Sequence, residues 1–191
     1  MNPLKMMLAG AALLFSACNE KPAPQSQPDS LSKREVAKPA FSVPDTFKVA
    51  LGNVFEGYTR IQSALAQDDL ARAQAAFSSM HALLHMMPKE GLDSSAIAYW
   101  SRTDSEIMDV LHPLATAVTR ETTRMQFSEF SRILVDAIDT IGISGQHPVY
   151  QFHCPMAREN KGADWLQMDT TLANPYFGQS MLTCGSLVRK I

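Results

Sequence analysis

The sequence predicts an all-α protein, an antiparallel four-helix bundle that carries a small C-terminal appendage built from a β-hairpin and loops. Apolar residues between positions 47 and 141 recur at spacings of three and four, which is the helical period. From His147 onward the chain changes to short β-prone runs separated by turn signals. The 191 residues suffice for one domain with appendages, and the formal net charge of −2 argues against a nucleic-acid binder.

The N-terminal segment, residues 1–17, has the features of a bacterial lipoprotein signal peptide. Lys5 supplies the positive charge, and residues 6–15 form an apolar stretch too short to span a membrane. Small residues before Cys18 resemble a lipobox, so we expect lipidation of Cys18 and anchoring on the periplasmic side of the envelope. Asn19 favours the outer membrane. The alternative is an ordinary signal peptide cleaved nearby, which would leave Cys18 as a free thiol.

Residues 18–44 are predicted to form a disordered tether between this anchor and a folded domain at 45–191. Five prolines alternate there with polar and charged residues: Pro22, Pro24, Pro28, Pro39 and Pro44. Such a composition buries too little apolar surface to offset the entropy of ordering the chain.

The first two helices follow from one apolar stripe and one pair of acidic residues. The stripe comprises residues spaced by three or four: Phe47, Leu51, Val54, Phe55, Tyr58, Ile61 and Leu65. Asp68 and Asp69 are predicted to open the second helix, where carboxylates favour the positive N-terminus, and the helix ends before Pro88. The short link predicts that the two helices are antiparallel neighbours.

The third and fourth helices are predicted from a capping motif and a second stripe. Thr103 and Glu106 have the spacing of a capping box, with a preceding helical turn near 94–100 and a kink before Pro113. The last stripe ends at Gly142 and contains these residues: Met125, Phe127, Phe130, Ile133, Leu134, Ala137, Ile138 and Ile141.

The appendage, residues 147–191, contains a set of soft metal ligands. Two short strands, near 149–153 and 181–188, would bring together the side chains that carry sulfur or imidazole: His153, Cys154, Met156, Met181 and Cys184. Thiolate, thioether and imidazole together select Cu(I), with Ag(I) and Zn(II) as competitors. The sequence therefore predicts a soft-metal site at these five residues.

A disulfide between Cys154 and Cys184 is the alternative for the same residues. After lipidation of Cys18 they are the remaining cysteines, and an exported protein meets an oxidising environment. The bridge would close a loop of about 30 residues and stabilise the fold by roughly 3–4 kcal/mol. The residue pattern leaves both interpretations open.

A weaker second metal site is predicted at His81 and His85, which are one helical turn apart. The alternative is that both are ordinary polar residues beside the apolar seam, because two ligands fall short of a metal site.

The sequence does not predict an enzyme. It lacks the G-x-S-x-G, H-E-x-x-H, P-loop and C-x-x-C patterns of hydrolases, zinc proteases, nucleotide-binding proteins and redox proteins.

Several blocks of the sequence resemble the domain of unknown function 3347. Four C-terminal blocks occur in the order seen in that family: 153–157 (His-Cys-Pro-Met-Ala), 162–166, 174–178 and 181–185. Residues 124–131 resemble the family's last-helix motif, so the resemblance covers residues 45–191. It implies an exported protein of a kind also found fused to the periplasmic adaptor subunits of copper and silver efflux systems. Heavy-metal efflux components are thus the expected partners.

Overall fold

The computed structural model describes residues 38–114 and 119–191. The predicted signal peptide, the lipidation site Cys18 and most of the predicted tether therefore lie outside the described residues. Within them, no helix is both long enough and apolar enough to cross a bilayer.

Four long helices form a bundle, as the sequence predicts: α1 (Asp45–Ala66), α2 (Leu70–His85), α3 (Ser94–Leu114) and α4 (Arg120–Ile141). Helix α1 packs on α2, and α3 packs on α4. Their apolar stripes meet in one core, whose largest fully buried side chains are aromatic. The core is dense in ring contacts, for example Phe47 against Trp100 with centroids 5.1 Å apart.

The starts of α2 and α3 differ in part from the prediction. Asp69 caps α2 by accepting a hydrogen bond from Arg72 N at 2.9 Å, whereas Asp68 lies before the helix with φ 61°. The predicted capping box at Thr103 is wrong, because Thr103 is buried inside α3. Asp93 caps α3 instead, accepting from Ser95 N and Ala96 N. A helix that buries residues at helical spacing from Ala96 onward continues straight through a local capping signal.

Helix α4 confirms most of its predicted stripe. It ends at Gly142, where φ is +83°, a backbone conformation that glycine adopts without steric cost. Met125 is the exception, since its side chain is 56% exposed. Two positions along a helix correspond to a rotation of about 200°, so Met125 lies nearly opposite the buried Phe127.

Ordered packing begins before α1. Ala40 N donates a hydrogen bond to Thr140 O at 2.8 Å, and the ring of Phe41 lies 5.2 Å from that of Tyr99. Val43 is buried. The end of the predicted tether is thus docked beside the C-terminal end of α4.

The C-terminal appendage is a three-stranded antiparallel sheet rather than the predicted hairpin. Its strands are β1 (Tyr150–Cys154), β2 (Ala163–Gln167) and β3 (Ser186–Lys190), in the order β2-β1-β3. Strand β2, which the sequence analysis missed, packs on α4 and buries Trp165 and Leu166 in the bundle core. The sheet therefore shares its core with the helices.

Candidate metal site

Three sulfur atoms lie close together at one end of the sheet. Cys154, the last residue of β1, is completely buried, and Cys184 is partly exposed in the loop before β3. Both are free thiols, and their Sγ atoms are 3.5 Å apart. Met156 Sδ lies 3.9 Å from Cys184 Sγ. We refer to Cys154, Cys184 and Met156 as the sulfur cluster.

The pairing of β1 with β3 brings the two cysteines together. His153 is the register partner of Ser186, so Cys154 lies across from the residues just before β3. Asn174 Nδ2 donates a hydrogen bond to Cys184 O at 2.6 Å and fixes that loop. Gly185 has φ +134°, and a Cβ there would lie 2.8 Å from both His153 O and the Trp165 ring. A larger residue would push Cys184 away from Cys154.

The separation of the two thiols fits a shared metal ion. With a metal–sulfur distance of about 2.3 Å, sulfur atoms 3.5 Å apart subtend an angle of roughly 100° at the metal. A disulfide would require the same atoms to approach to about 2.05 Å. The geometry is thus compatible with a metal site and, after a small movement, with a disulfide.

The Cys184 thiol holds its proton more strongly than an ordinary cysteine does. Its hydrogen bond with Cys154, together with desolvation and the proximity of the Cys154 sulfur, raises the pKa of Cys184. A metal ion that binds there must therefore displace a thiol proton. A raised pKa makes Cys184 a poor candidate for a reactive thiolate.

Two of the five predicted ligands are not part of the sulfur cluster. His153 is adjacent to Cys154 on β1 and thus faces the other side of the strand, where its Nδ1 lies 2.6 Å from Asp164 Oδ1. Met181 accepts a backbone hydrogen bond from Cys184 N, but the described sulfur contacts of the two thiols include Met156 and not Met181.

The second predicted metal site, at His81 and His85, has fewer potential ligands than the sulfur cluster. On α2, His81 is partly buried and His85 is exposed. Across residues 38–114 and 119–191, no group of three or more His, Cys, Asp and Glu side chains could hold a metal ion. The two histidines therefore remain a pair without a third ligand of these types among the described residues.

An ionic contact that the sequence analysis missed holds the loop before the sulfur cluster. Asp68 Oδ1 accepts from Arg124 Nη2 at 2.6 Å, and Asp68 Oδ2 accepts from Gln179 N at 3.0 Å. Desolvation raises the pKa of Asp68, but hydrogen bonds from Gln179 N and from Arg124 outweigh it and hold the pKa below its usual value. We refer to Asp68, Arg124 and Gln179 as the loop latch. The sequence did contain a signal for this contact. Because Asp69 alone suffices to cap α2, the adjacent Asp68 was free to have another partner.

Buried tyrosines attach β2 to the helices. The Tyr58 hydroxyl lies 2.7 Å from Ser131 Oγ and accepts from Leu166 N at 3.2 Å. The Tyr176 hydroxyl donates to Asp164 O. Burial raises the pKa of both tyrosines, so the hydroxyls stay protonated and act as hydrogen-bonding groups. These bonds fix the sheet, and with it Cys154, relative to α1 and α4.

Comparison with known proteins gives one match. A family model described as "Protein of unknown function (DUF3347)" matches residues 54–146. The matched region lies within the helical part and ends before β1, so it includes the 124–131 motif and leaves out the four C-terminal blocks. No curated protein and no solved structure matches the chain.

Proposed function

The chain belongs to the DUF3347 family over residues 54–146, and since the family's description names no activity, we propose a function from the sulfur cluster. In this proposal the protein binds Cu(I), or a related soft metal ion, through Cys154, Cys184 and Met156. It would serve as a copper buffer, a chaperone or an accessory to metal efflux. Lipid anchoring at Cys18, a periplasmic location and partners among heavy-metal efflux components belong to the same proposal.

The observation that carries this proposal is the convergence of two thiols and one thioether. The contacts of 3.5 Å and 3.9 Å allow one ion to bind sulfur from all three residues after small side-chain movements. Thiolate and thioether ligands select Cu(I), and Ag(I) shares the same preference. Zn(II) is less favoured because it usually takes four ligands drawn from thiolate, imidazole and carboxylate.

A Cu(I) competition titration tests the proposal. The reduced protein would compete with a chromogenic chelator, and we expect one Cu(I) per chain. Cys154→Ser and Cys184→Ser should each weaken binding about a hundredfold or more, because each removes one of the anionic ligands. Met86→Leu is the matched control, since Met86 is 68% exposed beyond the end of α2. Unchanged affinity in both cysteine variants would overturn the proposal.

The second candidate is an envelope interaction module in which Cys154 and Cys184 form a permanent disulfide. It is favoured by the same 3.5 Å separation, which leaves the thiols about 1.5 Å short of bonding distance. Thiol counting on freshly isolated protein separates the two candidates. Two protected cysteines that resist mild reductant would support the disulfide, whereas two accessible thiols would support the metal site.

A further inference from the structure

On the premise of the proposed Cu(I) function, we propose that Met156 is the exchange ligand of the sulfur cluster. Cu(I) would pass through its thioether between the two cysteines and an external carrier that holds the ion with thioether or thiolate ligands. The turn that follows Met156 would set the position of this ligand.

The exposure of the three sulfur residues is graded. Cys154 is 0% exposed, Cys184 is partly exposed and Met156 is 45% exposed. The contacts run in the same order, with Cys184 Sγ 3.5 Å from Cys154 Sγ and 3.9 Å from Met156 Sδ. A carrier at the surface therefore reaches Met156 first, and the fully buried thiol of Cys154 last. An ion held by Met156 and Cys184 needs only a short further movement to reach Cys154.

The segment after Met156 has an unusual backbone. Arg158, Glu159 and Asn160 have φ values of 54°, 57° and 66°. Successive left-handed residues other than glycine are disfavoured, because Cβ approaches the following carbonyl oxygen. We refer to residues 157–160 as the left-handed turn. Such strain persists where surrounding contacts impose it, and it often accompanies a functional site.

Backbone hydrogen bonds, among them Asn160 N to Met156 O at 3.3 Å, and one ion pair hold this conformation. Gly162 N donates a hydrogen bond to Ala157 O at 3.0 Å and closes the left-handed turn. Arg158 Nη2 pairs with Glu129 Oε1 of α4 at 2.9 Å, so a helix of the bundle holds the turn in place. The same Glu129 also pairs with Arg132 at 3.1 Å, within α4. The Arg158 pair therefore links the turn after Met156 to α4, whereas the Arg132 pair lies within α4.

The exchange is a ligand substitution without electron transfer. A bond forms between Met156 Sδ and Cu(I) while one bond from the carrier to Cu(I) breaks. Cys184 Sγ then binds the ion and releases its thiol proton to water, and Cys154 Sγ does the same as the last carrier bond breaks. The copper remains Cu(I) throughout.

Stopped-flow transfer of Cu(I) between the full protein and the Cu(I)–bicinchoninate complex tests this role in both directions. We expect Met156→Leu to slow uptake and release about tenfold or more each, with a smaller change in equilibrium affinity, because a shared intermediate is lost. The exposed Met86→Leu variant should transfer at the wild-type rate. Arg158→Gln should change both rates about threefold or more, and Arg132→Gln should leave them unchanged.

The possible failures are distinguishable. If Met156→Leu releases Cu(I) faster but takes it up at the wild-type rate, Met156 is an ordinary equilibrium ligand. If both rates are unchanged, Met156 is not part of the site. Either result overturns the exchange role. Equal rates in Arg158→Gln and wild type would overturn the role of the left-handed turn. In all three cases the proposed function stands if Cys154→Ser and Cys184→Ser abolish tight binding. Wild-type affinity in both cysteine variants would overturn the proposed function itself.

Discussion

The helices and the C-terminal sheet share one apolar core, but the sheet is attached in addition by polar bonds to the helical part. Within the bundle, large apolar side chains at helical spacing pack against one another, as Phe47 packs against Trp100. The C-terminal segment buries Trp165 and Leu166 in the same core and is also attached by polar bonds to distant residues of the helical part, such as Gln179 N to Asp68 and Arg189 to Asp139. The hydrophobic effect has no preferred direction, whereas a hydrogen bond fixes the relative positions of two particular atoms. The sulfur cluster depends on both, because Cys154 lies in the shared core while a hydrogen bond from Asn174 fixes the loop of Cys184.

The largest effect should follow from removing a core ring of the bundle. Phe47→Ala takes a fully buried aromatic side chain out of α1 and is expected to cost about 3–5 kcal/mol of unfolding free energy. Urea denaturation followed by circular dichroism measures this loss. The control is Val49→Ala on the same helix, where the 48% exposed side chain should contribute less than about 0.5 kcal/mol. Similar losses in the two variants would contradict a packing-dominated bundle.

A smaller, pH-dependent loss should follow from breaking the loop latch. Asp68→Asn removes a charged partner of Arg124 and is expected to cost about 2 kcal/mol near pH 7. Since the folded-state pKa of Asp68 lies below its ordinary value of 3.8, this stabilisation is fully present above that value and is lost as pH falls through the folded pKa. The difference in unfolding free energy between wild type and Asp68→Asn should therefore shrink on acidification.

Hydrogen exchange sharpens the same prediction. The Gln179 amide, which donates to Asp68, should exchange faster in Asp68→Asn. Asp45→Asn is the control, because the Asp45 side chain is almost fully exposed and its contact with Lys48 is 3.9 Å long. An equal loss of stability at pH 7 and at acidic pH would show that the charge of Asp68 is not what holds the loop.

A loss of about 1 kcal/mol is expected from Tyr176→Phe, which deletes the hydroxyl that donates to Asp164 O and leaves that acceptor without this partner. The ring contact with Trp165, at 5.9 Å, is retained, so the change removes only the contacts of the hydroxyl, with Asp164 O and with Ser131 Oγ at 3.5 Å. Thermal unfolding of this variant and of Tyr99→Phe, whose hydroxyl bonds to Asp136 in an exposed position, makes the comparison. A larger loss of stability in Tyr99→Phe than in Tyr176→Phe would contradict the view that the buried Tyr176 hydroxyl contributes more than the exposed one.

The smallest effect is expected at the two predicted ligands outside the sulfur cluster. His153→Gln and Met181→Leu should each change Cu(I) affinity less than about threefold, whereas Cys184→Ser should change it about a hundredfold or more. Chelator competition under reducing conditions measures all three. A loss in His153→Gln comparable to that in Cys184→Ser would restore His153 as a ligand.

The helices could be predicted because each has an apolar stripe that repeats along the chain, such as the one from Phe47 to Leu65. Local signals were less informative, as the apparent capping box at Thr103 shows. Strand β2 escaped prediction because Asp164 and Gln167 interrupt its apolar character while their side chains bond across the sheet and into its loops.

The sulfur ligands were predictable as residue types, but their grouping was not. Cys154 and Cys184 stood out as the cysteines of the C-terminal segment, and the structure brings them together. The separation of His153 from Cys154 follows from strand alternation, which could be applied once β1 was recognised. The loop latch and the left-handed turn depend on contacts between positions far apart in the chain, such as Glu129 with Arg158, which carry no local sequence signal.

The tyrosine bonds also determine how the sheet can meet another chain. Asp164 O and Leu166 N lie along the side of β2 that faces away from β1, and the hydroxyls of Tyr176 and Tyr58 occupy them. An incoming strand would have to displace two buried tyrosines to pair there, so this edge is closed to intermolecular β-pairing. The opposite edge belongs to β3, which ends in Arg189, paired with Asp139, and in the exposed cation Lys190. For the sheet of the described residues, strand addition would therefore use the β3 edge, beside the charge of Lys190.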